Sequence, residues 1–184
     1  MSLYSCNVEV GPFDSSSCEV RPGRIGFVSL LKFAAFDFLN GTGGGDWTVG
    51  ADWDAQMAAG NIVVLGAVTG DYPEPSATEV DGVGRVESFL SSFSHVVNFE
   101  TNGLIELNRD FFNDLNKNTE FYIAYVIDDP AVNAVHFVSD KPCSFRATPP
   151  VERGLDTPVR WKIKASWKSP EMPKMYAVPS GLYN

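Results

Sequence analysis

Between Pro158 and Pro170 the chain reads PVRWKIKASWKSP, and its residues alternate in kind. Val159, Trp161, Ile163, Ala165 and Trp167 share one parity, while Arg160, Lys162, Lys164 and Lys168 share the other. Successive side chains of a strand leave opposite faces, so this period of two predicts a closing strand with one apolar and one cationic face. Residues 85–99 alternate in the same way. Phe89, Phe93, Val97 and Phe99 stand against Ser88, Ser92, Ser94 and Asn98, which predicts a long half-buried strand. In RIGFVSLLKFAAFDF (24–38) both parities are apolar: Ile25, Phe27, Leu31 and Phe33 on one, Val28 and Leu30 on the other. That mixed pattern predicts a strand over at least 24–33 covered on both sides. The β-branched run NIVVLGAV (61–68), then EFYIAYVID, AVHFVS and CSFRAT, complete a set of about seven strands, separated by Asp-Pro and Lys-Pro punctuation.

Helical spacing is concentrated in one place. Leu104, Leu107, Phe111 and Leu115 fall three and four apart with Phe112 beside them, predicting a helix over about 104–116. Asn102-Gly103 leaves a second possibility open, a hairpin turn feeding a strand LIEL, with the helix starting only at Asn108. A shorter helix, WDAQMAAG, is expected with Asp52 as its cap and Gly60 as its end. Two long connections, LNGTGGGDW (39–47) and GDYPEPSATEVDGVG (70–84), are rich in glycine and proline. The first reads as a mobile loop or hairpin tip, the second as an extended segment. The pattern lacks the strand–helix alternation of a parallel sheet. It predicts one mainly β domain with one substantial helix (α+β), an antiparallel β-sandwich or partly closed barrel with long loops. A core over 24–169 carries extended arms at 1–23 and 170–184.

Composition narrows the chemistry. With 184 residues, one core is expected. The 23 acidic residues outnumber the 14 basic ones for a net charge of -9, which works against general nucleic-acid binding. No apolar run approaches the ~20 residues of a membrane span, and the start MSLYSCNVEVGPF lacks the features of a secretion signal, so a soluble cytoplasmic product is expected. Cys6, Cys18 and Cys143 are an odd number, read as reduced packing residues. Two histidines far apart in sequence, His95 and His136, and no CxxC argue against a zinc site. Neither histidine sits in a catalytic motif, and both read as structural or surface residues. Asp128-Asp129-Pro130 reads as turn chemistry, and Gly82-Val83-Gly84 is a lone GxG without a following helix. No cofactor, metal or catalytic residue is expected.

The cationic stripe admits two readings: a solvated face that also discourages edge aggregation, or a contact between subunits in which acid from a sister copy meets Arg160, Lys162, Lys164 and Lys168. The tail SPEMPKMYAVPSGLYN adds to the second, since it is too apolar to be a purely solvating end. The same holds for the arm over 1–23, with Leu3, Tyr4, Val8, Val10 and Phe13. The assembly reading also draws in Trp47 and Tyr72 from the two long connections and Tyr176 and Tyr183 from the tail. A different class of function, a β-sandwich module binding carbohydrate, would use Trp47, Trp53 and Tyr72 as a stacking surface.

One resemblance spans most of the chain. An N-terminal arm with early cysteines leads to PGRIGFVSL, an acidic-Trp helix ending at Gly60, and the PEPS loop. A GVG-led aromatic strand, NRDFFNDLN followed by YIAYVI, and the closing VRWKIKASWKSPEMP complete the order. This order resembles tail-tube and related virion structural proteins of tailed phages, especially crAss-like and related phages of gut bacteria. The resemblance implies a β-sandwich or barrel subunit, made in the host cytoplasm, that forms rings, commonly of six, which stack into a tube or a head-to-tail connector. Partners would be sister copies and other virion proteins, with DNA only as passing cargo and no membrane. The LNGTGGGDW and PEPS loops would be inter-ring contacts, an acidic chain would suit a channel through which DNA slides, and the cationic stripe would lie at a protein contact or outside.

Overall fold

The computed structural model describes residues 25–65, 68–80, 89–101, 105–117, 120–127, 135–149, 160–180 and 182. Its elements run β1 (Ile25–Leu31), α1 (Phe33–Leu39), α2 (Gly50–Ala58), β2 (Ile62–Leu65), β3 (Val68–Asp71), β4 (Ser76–Val80) and β5 (Phe89–Thr101). Then follow α3 (Ile105–Lys117), β6 (Tyr122–Ile127), β7 (Val135–Val138), β8 (Ser144–Thr148), β9 (Trp161–Ser169) and β10 (Lys174–Ala177). All described strands belong to one open antiparallel sheet in the order β10-β7-β6-β1-β3-β5-β9-β8, with β2 also on β1 and β4 also on β5. The fold is mainly β with one substantial helix, sandwich-like, as the patterning predicts. The arm over 1–23, Cys6, Cys18, Gly82-Val83-Gly84, Asp128-Asp129-Pro130 and Tyr183 lie outside the described residues.

Alternation sorts the side chains into two clusters. Ile123 and Tyr125 of β6 join Ile25, Val28 and Leu30 of β1 in a core with Val97 and Phe99 of β5 and Trp161, Ile163, Ala165 and Trp167 of β9. Their strand neighbours Tyr122 and Ala124, with Leu31, turn the other way into a second cluster with Ala35, Leu39, Trp47, Trp53 and Ile62. The half-sheet β1-β6 is therefore sealed on both faces, by β5-β9 on one side and by α1-α2 on the other. Burying each of these large side chains stabilises the fold by about 1.5–3 kcal/mol. β3 links the halves: Gly70 pairs with Ile25 of β1, and Val68–Asp71 pairs with Asn98–Thr101 of β5.

Five local readings are corrected. The expected strand stops at Leu31, and Phe33–Leu39 is helical, because Ala35 and Leu39, four apart, must both face the second cluster. Ile105 is already helical, which removes the LIEL strand. Phe112 and Leu115 are buried while Phe111 is half-buried, so among the described side chains Phe112, not Phe111, packs deepest with Leu115, its ring 4.5 Å from that of Trp161. α2 starts at Gly50 after Val49, and Asp52 acts inside the first turn by accepting from the Asp46 N–H at 2.9 Å. Gly60, at φ 70°, follows the helix end as expected. The segment read as an extended connection contains the edge strand β4, which pairs with the first part of β5. That pairing accounts for the length of β5: its thirteen residues serve β4 and β3 in turn along one side and β9 along the other.

LNGTGGGDW joins α1 to α2 as a folded connection. Gly44 takes φ 84°, and the Gly45 N–H bonds the Phe38 carbonyl at 3.2 Å in a position where any β-carbon would strike the Phe38 ring. At the far end of the sheet, α3 closes the β8 edge through one side chain. Asn116 donates to the Ala147 carbonyl at 2.9 Å and accepts from the Ala147 N–H at 2.6 Å, imitating the missing strand. Asn116→Ala is expected to cost about 1–3 kcal/mol in urea unfolding, because both backbone groups of a half-sheltered edge lose their partner; an unchanged midpoint would show that water replaces the amide.

Candidate interaction surface

β9 holds its apolar parity in the core, which leaves the other parity no choice of face. Lys162, Lys164 and Lys168 are exposed and Arg160 is partly so. Their neighbours are set by register: Glu100 of β5 lies opposite Lys162, Asn98 opposite Lys164, Ser94 opposite Lys168. Glu100 forms ion pairs with Arg160 and Lys162, both at 3.8 Å. Pairs this open to water contribute at most about 1 kcal/mol each. On the other side of β9, Arg146 of β8 is directly opposite Lys164. Both are exposed, and like charges opposed across a ladder destabilise it by a few tenths of a kcal/mol or more. A shallow groove of about 610 Å³ runs over this face, lined by Asp71, Asn98, Glu100, Arg146, Lys162 and Lys164 among others.

The aromatic residues drawn into the assembly reading are placed differently. Trp47 is 2 % exposed, donates Nε1–H to Asn40 Oδ1 at 3.3 Å, and meets Trp53 edge-on at 5.6 Å. It is taken up within the chain and presents no face to a neighbour. Trp53 is fully buried, its Nε1–H on the Trp47 carbonyl at 2.9 Å, so these two indoles cannot supply a carbohydrate-stacking surface. Tyr176 is half-buried, its ring 4.8 Å from Trp47 and its hydroxyl 3.2 Å from Asn40 Oδ1. The tail around it is docked intramolecularly: Lys174–Ala177 pairs with Val135–Val138 as β10, Pro179 is buried, and Leu182 packs on the second cluster. Tyr176, Pro179 and Leu182 of the tail therefore pack on this chain's own fold. Met172 and Met175 remain exposed beside it, as does Phe33 at the start of α1.

Both histidines are interior. His136 is fully buried, its ring 4.7 Å from Trp53, and burial pushes its pKa down to about 3. His95 is fully buried between Trp167, at 4.9 Å, and Tyr72, whose hydroxyl lies 2.6 Å from Nδ1. Burial lowers its pKa, opposed by Asp140 and by the backbone of Ser169 and Glu171. Burial also raises the Tyr72 phenol to about 12, so Tyr72 keeps its proton and can donate it to a neutral His95. Cys143 is buried and free, its thiol pushed up to about 12, far from the ionised form a nucleophile needs. Among the described residues, no group of three or more His, Cys, Asp or Glu side chains is arranged to hold a metal ion, and no helix is long and apolar enough to cross a membrane.

No protein-family model, curated protein or solved structure matches the chain. The site is therefore known from its geometry alone. The stripe Arg160, Lys162, Lys164 and Lys168 was legible from alternation. Arg146 and Glu100 were not singled out, because opposition across a ladder depends on which strands pair.

The buried histidines predict a pH dependence. A histidine whose folded pKa lies below its unfolded value of ~6.5 binds protons preferentially when unfolded, so stability is complete above pH ~6.5 and falls as pH drops toward 3. For His136 the loss is expected to reach about 2 kcal/mol at pH 5. His136→Phe, which keeps a ring against Trp53, should flatten the denaturation midpoint between pH 6.5 and 5; an unaltered slope would locate the titration elsewhere.

Proposed function

We propose that this chain is a non-enzymatic structural subunit of a tailed-phage virion, self-assembling into rings or a tube through which DNA passes. The observation that carries the reading is the opposition of Arg146 and Lys164 on an exposed sheet face of a chain whose net charge is -9. For a lone subunit that placement is a small cost. An acidic neighbour laid over it converts the cost into attraction and suppresses wrong pairings. The sandwich-like antiparallel sheet agrees with the subunit architecture that the resemblance to tail-tube proteins implies, and the same resemblance supplies the virion setting. The interior supports a structural role too: both histidines, Cys143 and all four tryptophans are spent on packing.

Light scattering from micromolar to millimolar chain, with negative-stain imaging of the same samples, tests this. Particles should grow with concentration, rings or tubes should be visible, and both should be weakened by salt, since the attraction is screened within ~10 Å at 0.1 M. A monomer at every concentration and ionic strength would overturn the reading.

A further inference from the structure

A cationic stripe and an acidic segment lie on the two outer surfaces of the fold, and the layer order places them on opposite sides. Side chains of β9 alternate between the core and the cationic face, and those of β6 alternate between the same core and the α1-α2 layer. The order through the molecule is thus cationic face, β5-β9-β8, core, β6-β1, second cluster, α1-α2. Between Lys32 and Arg85 the sequence has no lysine, arginine or histidine. The segment from Asp46 through α2 holds Asp46, Asp52 and Asp54, and no cation of its own offsets them. Asp46 accepts from the Thr48 N–H and Oγ–H at 2.8 Å each, which lowers its pKa and keeps it ionised. Asp54 is exposed, and Val49, 42 % exposed, lies between the acids as an apolar contact. Asp37 differs, because it lines a groove that Lys141 and Lys174 also line.

We infer that copies of this chain meet head to tail, the Asp46–Asp54 segment of one seated on the Arg146–Lys164–Lys168 face of the next. The inference rests on the self-assembly reading above and names its contact. Two different surfaces on opposite sides make a heterologous interface, which propagates into a ring if the rotation closes and a filament if it does not. The groove over β5-β9-β8 receives the segment, and the like-charged pair Arg146–Lys164 gains acid beyond the Asp71 and Glu100 that line the same groove.

Complementary charge reversal tests the contact. One variant combines Arg146→Glu with Lys164→Glu. The other combines Asp54→Lys with Ala51→Lys, an exposed position three residues away on α2, and leaves the hydrogen bonds of Asp46 and Asp52 intact. Sedimentation velocity at low salt should show each variant alone associating at least about tenfold more weakly than the parent chain, and their equimolar mixture assembling again. Circular dichroism reports folding, and the unaltered chain gives an independent reading: its association should fall at least about tenfold between low and 0.5 M salt. Variants that each assemble like the parent, a mixture that does not recover, or salt-independent assembly would overturn this contact while leaving self-assembly standing. A parent chain that never associates removes both. A monomer that instead binds duplex DNA, and loses it in the Arg146/Lys164 variant, would assign the cationic face to nucleic acid.

Discussion

The fold depends on sealing one half-sheet from both sides. β1 and β6 bury both parities, and neither could do so in a simple two-layer sandwich, whose outer faces meet water. One face finds β5 and β9; the other needs a second apolar layer, which α1, the α1-α2 connection and α2 provide. Trp47 and Trp53 are the bulk of that layer, and their indole N–H groups are satisfied by Asn40 and by the Trp47 carbonyl, so the aromatic area is buried without stranded donors. Tyr176 then closes over Trp47, which draws the C-terminal segment down onto β7. The tail is held because the layer beneath it is incomplete without it.

The other half-sheet obeys the opposite rule. β9 buries one parity only, and its tryptophans commit it to a single register, since a shift by one residue would put Trp161 and Trp167 in water and three lysines in the core. Its cations are therefore outward by necessity, and what distinguishes the face is the company they keep. Glu100 answers two of them, while β8 adds Arg146 beside Lys164. An acidic chain thus concentrates much of its scarce positive charge on one surface, with the cation-free α1-α2 segment on the far side. That polarity, more than any single contact, is what gives the proposed assembly a direction.

Side-chain hydrogen bonds here serve architecture. Asn116 completes the ladder at the β8 edge, Ser139 accepts from the Ile123 N–H at 3.0 Å, and Tyr72 reaches across to His95. Each pairs a group that folding would otherwise strand, and a stranded buried donor or acceptor costs more than a formed bond returns. The lowered pKa of both histidines follows from the same economy of charge, because an imidazolium in either site would have to shed its water.

Alternation and helical spacing are local properties, and they determined much from the chain alone. They gave the cationic and apolar faces of β9, the two-sided burial of β1, the inward parity of β5, the existence of α3 and the end of α2 at Gly60. What escaped them was decided by partners distant in sequence. Phe33–Leu39 continues an apolar pattern that suits a strand, and becomes helical because Ala35 and Leu39 must cover Tyr122 and Trp47. Ser76–Val80 and Lys174–Ala177 are short, polar or proline-flanked, and become strands only because β5 and β7 offer open edges. Trp47, Trp53 and the tail's Tyr176 read as surfaces awaiting a neighbour, and the fold buried both indoles and half-buried Tyr176 against Trp47. Periodicity reports which side chains share a face; which two faces meet is settled by pairing across the whole chain, where burial and hydrogen-bond satisfaction are decided together.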